Sequence, residues 1–229
     1  MEKKLAIVIP VYNNWTFTKN TMQYLDCLPN NHKIIIVDNF STDNTKELIS
    51  NEKFEIIKNK SNLFFAKACN QGYCEAKKLG YENVMFLNND IKVTDNFNNW
   101  TEKLIESAEN GNIVGPTVGC LADDLSFICE TNKFPTKGIW YMSGWNITAS
   151  ISTWDKLIID GNDGPISTEF NFYFEDADLG IRAQKLNIPS EIVSIPVKHY
   201  GKATAKNIGV SSLYQSAREI FLKKWQGKL

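Results

Sequence analysis

Val84-Met85-Phe86-Leu87-Asn88-Asn89-Asp90-Ile91 decides how this chain is read, because an apolar run passes without a break into two asparagines and a carboxylate. Four consecutive apolar residues are the mark of a strand buried on both faces. Asp90 then falls where that strand should run out into a loop. In an open α/β sheet, ligand chemistry collects at the carboxyl ends of the central strands. Taken alone the stretch reads better as a plain strand-to-turn exit, since Asn and Asp bond their own backbone and tolerate turn geometry. Its neighbours on both sides change that.

Upstream, Leu5-Ala6-Ile7-Val8-Ile9, closed by Pro10, and Ile34-Ile35-Ile36-Val37, ending in Asp38-Asn39, repeat the buried-strand pattern. Between them Asn14 is placed to cap a helix over about 15–27. Ser41-Thr42-Asp43-Asn44-Thr45 is a turn and cap cluster opening a short helix through Glu47-Leu48-Ile49. A third strand is expected over 54–57 and a helix over 67–79, where Gly72 suggests close packing or ligand approach. Residues 1 to about 91 thus form a βαβαβαβ series, which implies a mostly parallel sheet with right-handed crossovers.

Downstream, a helix over 96–109 and a strand at 113–115 continue the series. Beyond Pro116 the rhythm breaks. Residues 125–129 and 138–142 read as short antiparallel strands without helices between them. A short helix is expected at 153–159, a loop at 161–165, and a helix from the acidic run at 175–178 to about 186. A last strand over 192–197 leads to His199-Tyr200-Gly201, and a helix over 211–225 follows.

The composition is that of an ordinary soluble globular chain, with 229 residues, 43% hydrophobic and 22% charged. The length fits one sizeable domain with its own core. A net charge of −1, from 25 basic and 26 acidic residues, gives no global field for nucleic acid or an anionic membrane. Any anionic substrate must be held locally. The five cysteines are an odd number with no CxxC pair, and Met1-Glu2-Lys3-Lys4 leads into only a short apolar run. Both point to a reducing, cytoplasmic compartment. No apolar run approaches the ~20 residues of a membrane span.

Four segments carry a resemblance. Ile7-Val8-Ile9-Pro10-Val11-Tyr12-Asn13, Val37-Asp38-Asn39-Phe40-Ser41-Thr42-Asp43, Asn88-Asn89-Asp90 and Glu175-Asp176 together resemble the family 2 glycosyltransferases of the GT-A fold, in the family's order and rough spacing. Residues 172–182 resemble the bacterial rhamnosyltransferase-like and polysaccharide-assembly members. The resemblance implies one GT-A domain: a nucleotide-binding half over 1–115, an acceptor-side half over 116–210 with a small antiparallel region, and a C-terminal helix over 211–229.

It also implies roles. Pro10, Val11 and Tyr12 would line the base and ribose of a nucleotide-sugar, with Asn39, Asn62, Asn70 and Asn89 counted among the donor-lining residues. Asp38 would accept hydrogen bonds from base or ribose, as a strand-end carboxylate can; it would equally cap the turn to Ser41. In Asn62-Leu63-Phe64-Phe65-Ala66-Lys67 a phenylalanine stands at 64 where the family has glycine, and Lys67 is either a cation near the diphosphate or a surface lysine. Asn88 and Asp90 match the family's Asp-x-Asp element in an Asn-x-Asp form. Mg²⁺ or Mn²⁺ needs only one or two protein carboxylates when phosphates and water complete the shell, so Asp90 suffices with help. Asn88 would then touch sugar or ribose. His199 matches a histidine that completes the metal site, and an imidazole favours Mn²⁺ over Mg²⁺; its alternative is a structural role.

Glu175 and Asp176 open a helix, where the dipole alone would stabilise acidic residues. Phe172-Tyr173-Phe174 before them would press a carboxylate against apolar surface and raise its pKa toward useful basicity. The resemblance makes Asp176 the base and gives Glu175 an orienting role. Asp178 more naturally pairs with Arg182 one turn on. Gly144 and Trp145 match a small-residue segment bordering donor sugar and acceptor, with Trp145 either a stacking floor or core.

The sequence therefore predicts a metal-dependent inverting glycosyltransferase acting on a UDP-, dTDP- or GDP-linked sugar and a glycan, lipid-linked or protein acceptor, with no nucleic acid partner. A non-catalytic nucleotide-sugar or glycan binding module is the alternative. A sugar nucleotidylyltransferase would need a Gly-rich, basic loop after the first strand, which Pro10-Val11-Tyr12-Asn13-Asn14 is not. The C-terminal helix, with Tyr214, Phe221, Leu222 and Trp225 beside Lys223, Lys224 and Lys228, either docks on the domain or rests peripherally on an anionic membrane.

Overall fold

The computed structural model describes residues 5–28, 31–47, 54–94, 100–201 and 210–229. Strand and helix alternate at first: β1 (Leu5–Val11), α1 (Trp15–Asp26), β2 (His32–Asp38), a 3-10 turn (Asn44–Glu47), β3 (Phe54–Lys58), α2 (Phe64–Lys78) and β4 (Asn83–Leu87). Short strands then dominate, with β5 (Ile91–Val93), α3 (Trp100–Glu109), β6 (Ile113–Gly115), β7 (Val118–Leu121), β8 (Phe127–Thr131), β9 (Ile139–Met142), β10 (Asn146–Ser150) and α4 (Ile151–Asp155). The remainder is α5 (Glu175–Lys185), β11 (Ser190–Ile192), β12 (Val197–His199) and α6 (Val210–Trp225). The expected helical residues Leu48 and Ile49, the helix start at Asn96, and residues 202–204 after His199 lie outside the described residues.

Seven strands form the main sheet in the order β11-β6-β10-β4-β1-β2-β3. β3, β2, β1 and β4 run parallel, β10 runs antiparallel to both β4 and β6, and β11 is parallel to β6. This is the mixed, mostly parallel α/β architecture that the apolar runs predict. β2 and β4 flank β1 on opposite sides, so the crossover direction reverses there. A crevice follows at the carboxyl ends of β1, β2 and β4.

Alternation along the central strands divides the core. Ala6, Val8, Ile35, Val37, Val84 and Phe86 face one side, packed with Cys69, Tyr73 and Ala76 of α2, Trp154 of α4 and Leu179 of α5. Leu5, Ile7, Ile9, Ile34, Ile36, Met85 and Leu87 face the other, packed with Met22 and Leu25 of α1 and Leu104 and Ile105 of α3. A third cluster joins Leu121 and Tyr141, from the three-stranded sheet β8-β7-β9, to α5 and α6.

Several elements differ from expectation. The single strand over 192–197 is two: β11 closes the edge of the main sheet, while β12 pairs antiparallel with β5. Pro196, which has no N–H to donate to a ladder, stands between them. Asn14 sits at the start of α1 in a left-handed conformation (φ 62°) and gives no side-chain cap; the Trp15 N–H goes instead to Asp43 Oδ2 at 3.0 Å. α2 begins at Phe64 rather than Lys67, its first N–H held by Asn62 Oδ1 at 2.8 Å. α6 turns Ala217, Phe221 and Trp225 into the third cluster, with Tyr214 and Leu222 beside them. Of the two readings of this helix, docking on the domain or resting on a membrane, the packing of its aromatic face matches docking. Among the described residues no helix is long and apolar enough to cross a membrane.

Candidate active site

The exit from β4 is pinned before it reaches Asp90. The Asn88 N–H donates to Trp145 O at 2.9 Å, the Asn89 amide donates to Thr18 Oγ1 at 2.9 Å, and Asn89 O accepts from the Thr21 hydroxyl at 2.7 Å. Asn89 is therefore a tie to α1, with its amide turned into the protein. Asp90 is buried, and its Oδ1 lies 2.9 Å from His199 Nε2. The β5–β12 ribbon brings together these residues, 109 positions apart, and the Tyr200 N–H closes it on Asp90 O at 2.9 Å. The Asn88 amide lies 3.1 Å from the same ring nitrogen.

A carboxylate oxygen and an imidazole nitrogen within hydrogen-bond reach of each other, with an amide beside them, are a donor set that suits Mn²⁺ or Mg²⁺ once the ring nitrogen has given up its proton. Among the described residues no group of three or more His, Cys, Asp or Glu side chains is placed to hold a metal. Two protein ligands and an amide would leave the rest of the shell to phosphate and water.

The strand ends nearby are organised by asparagines. Asp38 Oδ1 accepts the Ser41 N–H at 2.9 Å, which is the turn-capping alternative. Asn39 accepts from Asn59 Nδ2 at 2.9 Å and donates to Phe64 O at 3.2 Å, fastening β2 to the start of α2. Asn70 spends both ends of its amide on Ile166, donating to its carbonyl at 2.8 Å and accepting its N–H at 3.0 Å. Val11 is core, buried with Met22 and Ile36. Asn39, Asn70 and Asn89 thus hold the loops in place, for polar groups buried at a strand exit must find partners within the protein, and Asn62 caps the start of α2. Pro10 and Tyr12 are half-buried at the crevice, and Lys67 is exposed on the first turns of α2. Next to them a cleft of about 450 Å³ is lined by Asn13, Asn14, Trp15, Phe17, Thr42 and Asp43.

The second half of the site is the start of α5. Tyr173 and Phe174 take positive φ angles of 65° and 67°, a sharp left-handed turn that presents Glu175 and Asp176 at the helix N-terminus. Asp176 Oδ2 accepts the Gly144 N–H at 3.0 Å, and Oδ1 accepts the Ala177 N–H at 2.8 Å. A Cβ at Gly144 would lie 3.1 Å from Asp176 and press on its carboxylate. Desolvation raises both carboxyls: Glu175 up to about 8, helped by the charge of Asp176, and Asp176 to about 6, against the pull of its backbone hydrogen bonds. Two adjacent carboxyls share a buried site that resists holding two charges.

Trp145 connects the halves. Its ring stacks on His199, centroids 5.3 Å apart and planes inclined by 10°, and its indole N–H donates to Glu130 Oε1 at 2.8 Å and Thr117 Oγ1 at 3.0 Å. Of the two readings of Trp145, a stacking floor or core, the ring's burial is that of core, with His199 stacked on it. Sequence reasoning missed Thr117 and Glu130. No spacing ties either to Asp90 or Asp176; only the fold of the three-stranded sheet brings them near.

Residues 6–153 match the sequence profile described as Glycosyl transferase family 2, and the chain belongs to that family. Solved structures sharing the fold include GalNAc-T7 with UDP, GalNAc and Mn²⁺, at 12% identity and TM-score 0.64, the alignment covering 86% of this chain and 43% of that one. TarS of S. aureus aligns at 14% identity and TM-score 0.63, covering 99% of this chain and 40% of its own. The mannosyltransferase PcManGT of Pyrobaculum calidifontis, in complex with GDP-Man and Mn²⁺, aligns at 11% and 0.59, covering 85% and 55%. At such identities the likeness is one of fold, and the chain spans less than two thirds of each of these three. No curated protein matches the sequence.

Proposed function

We propose that this chain, acting as one domain, is a metal-dependent inverting glycosyltransferase that moves a sugar from a nucleotide-diphosphate donor to an acceptor hydroxyl, in cell-surface polysaccharide or glycan synthesis. The observation that carries this reading is the Asp90–His199 pair at 2.9 Å, set at the sheet's switch point and joined through the 144–145 turn to the raised carboxyl of Asp176. GalNAc-T7 and PcManGT, which share the fold, were crystallised with nucleotides and Mn²⁺.

Asp90 and His199, with Asn88 beside them, would hold the divalent ion, which when bound supplies positive charge to the leaving diphosphate. Asp176 receives the proton of the acceptor hydroxyl as that oxygen bonds to the anomeric carbon. The bond from that carbon to the phosphate oxygen breaks, its electron pair leaving with the nucleoside diphosphate. One displacement inverts the configuration. The Gly144 and Ala177 N–H groups hold the Asp176 carboxylate in one orientation, and Glu175 orients the acceptor or the loop.

A thermal-shift screen of UDP-, dTDP- and GDP-sugars with Mn²⁺, followed by assay of nucleoside diphosphate release, tests the reading. A ligand at 100 times its Kd adds about 2.7 kcal/mol to stability. Asp90→Ala should lose the Mn²⁺-dependent part of that shift, whereas Asp176→Asn should keep it and release product at least 100-fold more slowly, the contribution of a general base being about 10²–10⁴. Wild-type turnover by Asp176→Asn would remove the base assignment, and tight Mn²⁺ binding without nucleotide would count against the metal site.

A further inference from the structure

Glu130 lies on β8, an edge strand of the three-stranded sheet, and its side chain is exposed. A carboxylate in such a place is ordinarily free to move. This one is held: Oε1 accepts the Trp145 indole N–H at 2.8 Å and the Thr117 hydroxyl at 2.5 Å. The same indole stacks on His199, and the residue before it donates its N–H to Asp176. Glu130 is thereby fixed between the two halves of the candidate site.

Its neighbours on the sheet reinforce this. Gly119 pairs with Glu130 on one side and Tyr141 on the other. A Cβ at Gly119 would fall 2.4 Å from the Tyr141 ring, so that ring lies over the glycine, across the row from Glu130. The charge of Glu130 reaches inward, contributing to the upward shifts of Asp176 and Tyr141. Packing does not require a carboxylate at an exposed position, and Thr117 alone offers the indole an acceptor. A third negative group here opposes ionisation of the base, so its presence calls for a ligand that uses it. In the same candidate site Glu175 Oε2 is buried with no hydrogen-bond partner.

We propose that Glu130 binds the acceptor, accepting a hydrogen bond from a ring hydroxyl next to the one that attacks, so that the acceptor is a saccharide with neighbouring free hydroxyls. The inference rests on the transferase reading above. Oε1 is occupied by protein donors, which leaves Oε2 for the ligand. A carboxylate locked by two donors recognises a diol without paying for its own ordering.

The test uses the full chain with Mn²⁺, the UDP-, dTDP- and GDP-sugars, and methyl glycosides of glucose, galactose, N-acetylglucosamine and rhamnose as probe acceptors. Glu130→Gln keeps an oxygen for Trp145 and Thr117, so it holds the fold; Thr117→Val removes one of the two groups that hold the carboxylate. Glu130→Gln should raise the KM for the stimulating glycoside tenfold or more, Thr117→Val by less, and both should bind nucleoside diphosphate with Mn²⁺ within twofold of wild type. An unchanged acceptor KM in Glu130→Gln, or an equal loss of nucleotide affinity, overturns the proposal. Wild-type release that no glycoside stimulates overturns the saccharide class, and absence of release from every donor overturns the transferase reading beneath it.

Discussion

Glu175 and Asp176 occupy the place where the dipole of α5 favours negative charge, yet burial makes both hold their protons beyond the usual carboxylate range. The consequence for stability has a definite sign. Glu175 rises from 4.5 to about 8 on folding. Below pH 4.5 both folded and unfolded chains carry the proton, and the shift has no effect. Between 4.5 and about 8 the unfolded chain has lost it while the native state keeps it, so stability falls as pH rises, and the full penalty stands above pH 8. Glu175→Gln removes that penalty. Its melting temperature should match wild type near pH 4.5 and exceed it increasingly toward pH 8.5, by about 2–4 °C for each kcal/mol relieved in a chain of this size. Parallel melting curves for the two proteins across that range would place the carboxylate in water instead.

At the scale of elements, α2 crosses β1 so closely that Gly72 has no room for a methyl group. A Cβ there would sit 2.2 Å and 2.9 Å from the two γ-carbons of Val8, and Val8 is fully buried. Alanine in a helix interior gains up to about 1 kcal/mol over glycine, but overpacking against a stiff β-branched neighbour costs about 1–3 kcal/mol. Gly72→Ala should therefore lower the urea midpoint, and adding Val8→Ala should recover part of the loss; independent effects of the two changes would mean the contact is not there. Contacts of this kind also explain which elements could be read in advance. β1, β2 and β4 are covered on both faces, so their apolar runs announce them, and Gly72 signalled the close crossing. β10 was invisible because Asn146 and Thr148, fully buried, interrupt its pattern with polar groups. β5 and β12 each have three residues and exist only through their pairing. The site divides likewise: Asp90, His199 and Asp176 stand at strand and helix ends that sequence locates, whereas Thr117 and Glu130 depend on a three-stranded sheet assembled from separate loops.

Across the whole molecule, Asp178 and Arg182 hold the end of α5 that carries Asp176 to the regions around it. Asp178 is fully buried; it accepts Arg182 Nε at 2.8 Å, the Trp225 indole N–H at 2.9 Å and Lys224 Nζ at 2.9 Å. Arg182 gives its other nitrogens to Leu157 O at 2.5 Å and Pro165 O at 2.9 Å. Ile166, one residue beyond Pro165, is the partner of Asn70 on α2. A single chain of buried bonds therefore runs from α6 through α5 and the 157–166 loop to α2, the helix packed on β1 and β2. Breaking a buried pair by removing one charge costs about 3–5 kcal/mol, because the other stays behind uncompensated. Asp178→Asn leaves Arg182 buried without its carboxylate, while Lys224 keeps Glu169 at 2.7 Å, and should lower the melting temperature by about 6–20 °C at the slope for this size. Trp225→Phe removes one donor but keeps the packing, and should cost about 1–3 kcal/mol. The two changes share a partner, so the double variant should be less destabilised than the sum of the singles. Additive losses would mean that α6 and Arg182 act on α5 separately, and that the start of α5, where Asp176 sits, does not depend on the docking of the C-terminal helix.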